Sequence, residues 1–218
     1  MIHILRQEKD FLLCIKPFGL LSEGEGENAL PRKLMAQQGG EIYPVHRLDR
    51  ETGGCMVYAR TRAAAAKLSA LAAERGMEKE YLAVIPGRPA EESGTLRDLL
   101  FRDAAKNRSF VVTRMRRGVR EAELSYRVLE TAEAADRQYS LLAVRLHTGR
   151  THQIRVQFAS RALPLVGDRR YGSREDAPHM ALWAHRLSFS HPFRRETVTA
   201  QSLPPAEWPW TRFRLPQD

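Results

Sequence analysis

Apolar residues in this chain fall into short runs cut by glycine, proline and charge. "FLLCIKP" (residues 11–17) reads as a buried strand stopped by Pro17 and Gly19, and "GCMVYAR" reads as a second strand. Between them "GLLSEGEGENA" is loop-like and acidic, and "ALPRKLMAQQ" predicts a helix halted by Gly39 and Gly40. "TRAAAAKLSALAAERG" is the clearest helix, with strong formers throughout, Leu68 and Leu71 at helical spacing and a terminal Gly76. "EKEYLAVIPG", "GTLRDLLFRD", "RSFVVTRM", "REAELSYRVLE" and "MALWAHRLSFSH" read as strands. "RQYSLLAVRLHTG" alternates Leu142, Val144 and Leu146, the period of a half-buried strand. "THQIRVQFASRA" places Ile154, Phe158 and Ala162 four apart, a helical period, with Thr151 as its cap. Strands outnumber helices and often follow one another directly. That predicts an α+β fold with a largely antiparallel mixed sheet flanked by helices and loops. No linker or repeat divides residues 1–218, so the chain reads as one catalytic domain with room for two subdomains.

Composition narrows the class. The 218 residues are 43% hydrophobic, enough for a sizeable core. No run approaches the roughly 18 apolar residues of a membrane span, and the N-terminus has no signal-peptide pattern. Cys14 and Cys55 match no metal spacing and allow at most one disulfide, so a reducing cytoplasm is expected. Lys plus Arg is 35 against 26 acidic residues, a net charge of +9. Such a surface favours a nucleic-acid partner, since neutralised phosphates supply most non-specific affinity.

Three clusters offer chemistry. In "YPVHRLDRETGG" Asp49 stands among His46, Arg47 and Arg50; an oriented, ionised carboxylate suits nucleophilic or electrostatic work, although an isolated Asp of this kind is more often a turn residue. "LHTGRTHQIRVQ" brings His147, Arg150, His152 and Arg155 to a strand-to-helix junction, either as a phosphate grip or as partners for a carboxylate. "MEKEYLAVIPG" sets Tyr81 in a strand, where it stacks on a base or packs in the core. "TRMRRGVR" adds Arg114, Arg116 and Arg117 on a basic loop or hairpin, either an RNA contact or a solvated turn. "GDRRYG" reads as a turn that buttresses the site through Asp168 and Tyr171. There is no glycine-rich phosphate loop and no carboxylate cluster for a metal-dependent nuclease.

Taken together and in order, "YPVHRLDRETGG", "KEYLAVIPG", "HTGRTHQIRVQ", "GDRRYG" and "AHRLSFSHP" resemble the RluA-type pseudouridine synthases, from about Asp10 to Pro192. The resemblance implies isomerisation of uridine to pseudouridine in rRNA or tRNA: the glycosidic bond breaks, the base turns, and C5 joins C1′. No cofactor or metal is expected. Asp49 matches the catalytic aspartate, attacking the ribose or assisting a glycal route. Tyr81 matches the tyrosine that stacks on the target base, and Arg155 the basic partner of the aspartate, with Arg150 as the alternative. Arg47 would fill the gap left by the flipped uridine, and Arg50, Arg150, His152, Arg114, Arg116 and Arg117 would contact RNA. Two positions depart from the family pattern: Gly53 replaces a usual serine and Gln157 a usual histidine. No S4-type RNA-binding domain is expected, so a monomer would select a structured stem-loop with its own loops, without DNA or membrane partners. The competing reading is an inactive RNA-binding or chaperone-like protein, against which Asp49, Tyr81 and Arg155 speak.

Overall fold

The computed structural model describes residues 1–216. It separates into two compact units: Met1–Lys79 with Trp183–Pro204, and Glu80–Leu182 with the chain from Pro205 on. The first contains β1 (Ile4–Gln7), β2 (Phe11–Lys16), helix α1 (Leu30–Gln38), β3 (Tyr43–Pro44), β4 (Gly53–Ala59) and helix α2 (Arg62–Ala73). The second holds β5 (Met77–Pro86) from Glu80 on, then β6 (Ser93–Asp103), β7 (Arg108–Val112), β8 (Val119–Ala134), β9 (Arg137–Leu146) and helix α3 (Gln153–Ala159). The chain returns to the first unit with β10 (Leu182–Ser190) and β11 (Thr197–Gln201).

In the first unit the strands run β1-β2-β4-β10, with β11 on β10 and β3 on β4. All these pairings are antiparallel except β4 with β10, which is parallel through Gly53 opposite Trp183 and Gly54 opposite Ala184. Alternate residues of β2 and β4, Phe11, Leu13, Cys55 and Val57, join Leu187, Phe189 and Val198 on one face, where Ala64 and Leu68 of α2 cover them. Thr61 caps α2 by accepting the Ala64 amide at 3.2 Å. The helix ends at Ala73, and Arg75 takes a left-handed turn at φ 63° just before Gly76. Cys14 lies opposite Met56 in the β2–β4 register while Cys55 lies opposite Ile15, so successive side chains send the two thiols to opposite faces. Both are free and buried, which removes the disulfide the composition allowed.

The second unit is an antiparallel sheet in the order β5-β9-β8-β6-β7. Leu141, Leu142 and Val144 of β9 are all buried, so this strand is covered on both faces rather than half-buried. Val156 of α3 packs with Leu100, Ala122 and Tyr171. The α+β class and the largely antiparallel pairing agree with the sequence pattern. The junction before α3 differs. Thr151 is not the cap: the helix starts at Gln153 behind a left-handed His152 (φ 55°), and it ends before Ala162, which has φ 59°. Its seven residues are too short to present a dipole at an open end, and the Gln153 side chain fills that end by accepting from the Arg150 amide (3.0 Å) and Thr148 Oγ1 (2.8 Å). The helical period was legible, but its start depended on a side-chain hydrogen bond that no periodicity records.

Candidate active site

Asp49 lies half-buried in the loop between β3 and β4. The backbone on both sides of it is clamped. The buried Ser22 hydroxyl donates to the Leu48 carbonyl (2.8 Å) and accepts from the Leu48 amide (3.2 Å). On the far side the Arg50 carbonyl accepts from Lys16 Nζ (3.0 Å) and from the Gly19 amide (2.9 Å). Arg50 closes the exchange by donating Nε to the Gly19 carbonyl at 3.1 Å. The Thr52 amide donates to the Asp49 carbonyl, making the turn into β4. His46 docks the preceding residues, its Nε2 accepting from the Val57 amide at 3.1 Å. Burial, reinforced by Lys79, drives His46 well below the ordinary imidazole range, so it is neutral and its proton sits on Nδ1.

The two arginines adjoining Asp49 turn to other partners. Arg47 pairs with Glu23 at 2.6 Å, and Arg50 approaches Glu51 at 3.7 Å. Both arginines of the motif thus have partners beyond Asp49. The cation beneath the loop is Lys16, which is fully buried and which in the sequence marks only the end of a strand. Burial lowers its ammonium to about 8, against the pull of Glu51 and Asp49.

In the second unit, Tyr81 is buried on β5 opposite Val144 of β9. Arg155, also buried, sends Nε and Nη2 to the two carboxylate oxygens of Asp168 at 2.7 and 2.8 Å. Its guanidinium lies 5.1 Å from the centre of the Tyr171 ring. "GDRRYG" is thus the turn expected, but Asp168 is a direct ligand of Arg155, a pairing that no motif or spacing signals. The Tyr171 hydroxyl accepts from the Ser109 amide (2.8 Å) and lies 3.0 Å from His152 Nδ1. His152 is accordingly a buried link in this network. Arg108, in the sequence only part of a strand, stands 4.9 Å from the Tyr171 ring centre and 5.5 Å from that of Phe110. Its Nε is buried without a hydrogen-bond acceptor.

Arg150 is exposed, and its Nε donates to the Glu121 carbonyl at 2.9 Å. Arg114, Arg116 and Arg117 lie in the exposed segment 113–118 between β7 and β8. Arg116 rests 5.0 Å from the Phe101 ring centre. Gln157, one of the departures from the family pattern, is buried and donates to Asp98 (2.7 Å) and the Leu96 carbonyl (3.2 Å); it ties α3 to β6.

Glu8, His191 and Glu196 form a group with metal-ligand spacing among the described residues. Its chemistry is that of a charge cluster. His191 Nδ1 accepts the Phe193 and Arg194 amides (3.0 and 3.1 Å), which leaves the ring proton on Nε2, facing Glu8. Arg6 and Arg194 already neutralise the carboxylates.

The profile of the RNA pseudouridylate synthase family matches residues 10–160, a span that holds Asp49, Tyr81 and Arg155. An uncharacterized RNA pseudouridine synthase of Synechocystis sp. is 32% identical over 99% of this chain and 70% of its own length. The tRNA pseudouridine synthase C of Vibrio vulnificus is 28% identical and aligns over 99% of this chain and 97% of its own. The structure of human RNA Pseudouridylate Synthase Domain Containing 1 superposes with a TM-score of 0.81 at 28% identity, over 94% of this chain and 84% of the human one. With the clamped Asp49 loop inside the matched span and relatives of one kind aligned along nearly the whole chain, the protein belongs to the RNA pseudouridylate synthase family and is an RNA pseudouridine synthase, an isomerase acting on uridine.

Proposed function

We propose that Asp49 is the catalytic carboxylate, that Tyr81 stacks on the target uracil, and that Arg155 is the cation serving the aspartate. The observation that carries the reading is the loop itself. Its backbone is tied at Leu48 and Arg50 by three separate groups, while Arg47 and Arg50 are engaged elsewhere. A carboxylate held this way costs no reorganisation when positive charge develops on the ribose as the glycosidic bond weakens. Detached uracil has to be turned and kept from water, which asks for an aromatic wall such as Tyr81. A uridine within a stack must first leave it, at a cost of a few kcal/mol. Arg47, half-exposed at 54%, is free enough of the loop to take the vacated place. Asp168 holds the Arg155 fork in its plane, which makes it a positioning residue for that cation.

The substrate proposed is a structured stem-loop of tRNA or rRNA, recognised by a monomer acting in the cytoplasm. Segment 113–118, with Arg150 and Arg108, supplies phosphate contacts. Asp49→Ala should abolish tritium release from RNA labelled at uridine C5, while filter binding of the same RNA persists. Release at wild-type rate by the variant would remove Asp49 from the chemistry. Wild-type protein that binds RNA without release would favour the non-catalytic reading.

A further inference from the structure

Gly53 and Gly54 follow the catalytic loop directly, and they are glycine for different reasons. Gly54 has φ 120°, and a Cβ there would lie 2.3 Å from the Ala184 carbonyl oxygen, so backbone geometry excludes a side chain. Gly53 has no such φ demand, and its one close backbone contact is milder, the Lys16 carbonyl oxygen at 3.2 Å from a Cβ. A Cβ at 53 would meet the six-membered ring of Trp183, at 2.4 Å from Cζ3 and 2.9 Å from Cε3. The glycine in place of the family's serine is thus the counterpart of one large side chain across the parallel β4–β10 register.

That ring is not loose. Trp183 is 5% exposed, and its Nε1 donates to both the carbonyl and the hydroxyl of Ser202, each at 3.1 Å. The ring also meets Phe18, with ring centres 5.4 Å apart and planes tilted by 58°. Phe18 precedes Gly19, whose amide and carbonyl exchange hydrogen bonds with Arg50, the residue after Asp49. The line of contact therefore runs Trp183, Phe18, Gly19, Arg50, Asp49, entirely within the first unit.

We propose that Trp183 is a positioning residue for catalysis: it occupies the space that Gly53 leaves open and braces the Phe18–Gly19 segment that holds the Asp49 loop. A side chain at 53 and tryptophan at 183 exclude each other, so the two positions act as a unit. The inference rests on Asp49 as the catalytic group, and Asp49→Ala is assayed alongside to separate the two claims.

The test uses the full chain and bulk RNA labelled with tritium at uridine C5, with kcat and apparent KM measured separately. Gly53→Ser should lower kcat on the order of ten- to a hundredfold, the cost of misplacing a catalytic group, with apparent KM little changed. Trp183→Ala should lower kcat in the same range. In the Trp183→Ala background the serine should cost much less than it does beside tryptophan, so the double variant falls close to Trp183→Ala rather than at the product of the two losses. Phe18→Ala, which leaves the Trp183–Gly53 contact intact, should also lower kcat rather than raise KM. Should Trp183→Ala fail to fold, Trp183→Leu in both backgrounds gives the same comparison. Equal losses from Gly53→Ser in the two backgrounds would overturn the proposal, as would Trp183 variants that alter only KM or thermal stability. If Asp49→Ala remains active, the catalytic assignment fails instead.

Discussion

Lys16 shows how one residue couples the core to the Asp49 loop. Its ammonium is fully buried, donates to the Pro17 and Arg50 carbonyls, and is pushed down to about 8 from an ordinary 10.5 by burial. Between those values the unfolded chain binds more protons than the folded one, so this group makes stability rise with pH across that window. Compared with Lys16→Met, wild type should gain on the order of 2–3 kcal/mol from about pH 7.5 to about pH 10, as read by urea unfolding. A constant difference between the two proteins would show that the lysine is not desolvated as described. Asp168 makes the complementary case. It is buried against a buried guanidinium, and removing one member of such a pair takes a bidentate partner from the other buried charge. Asp168→Ala should cost about 3–5 kcal/mol in equilibrium unfolding. Arg155→Met combined with Asp168→Ala should cost less than the sum of the single changes.

At the scale of elements, the arginine-bearing segment between β7 and β8 reaches past its own strands. Both β7 and β8 pair with β6, so the connection must cross that strand, and residues 113–118 are all exposed. Phe101 beneath Arg116 and a turn from the Val119 amide to the Arg116 carbonyl (3.0 Å) shape the segment. Replacing Arg114, Arg116 and Arg117 by glutamine should weaken RNA binding and flatten its dependence on log salt by about 0.7–0.9 for each phosphate no longer neutralised. An unchanged salt slope would take the segment out of the interface. Strands β2, β4, β5, β8, β9 and β10 were legible because each buries consecutive or alternate side chains, and β6 and β7 were legible too although they bury fewer. β1, β3 and β11 were not, since short strands owe their conformation to the neighbour they pair with.

For the molecule as a whole, order and charge were written in the chain. The five motif segments, the net charge of +9 and the predominance of strands over helices are local or additive properties, and they sufficed for the fold class and the family. They depend on which residues occur and in what sequence, not on where each side chain comes to rest. What tertiary structure alone decided is the set of partners. Asp168 on Arg155, Ser22 and Lys16 on the Asp49 loop, and Trp183 against Gly53 join residues 13, 26, 34 and 130 positions apart. No periodicity spans such distances, because a hydrogen-bond partner or a steric fit is fixed only when the sheet register brings two distant segments within a few ångströms.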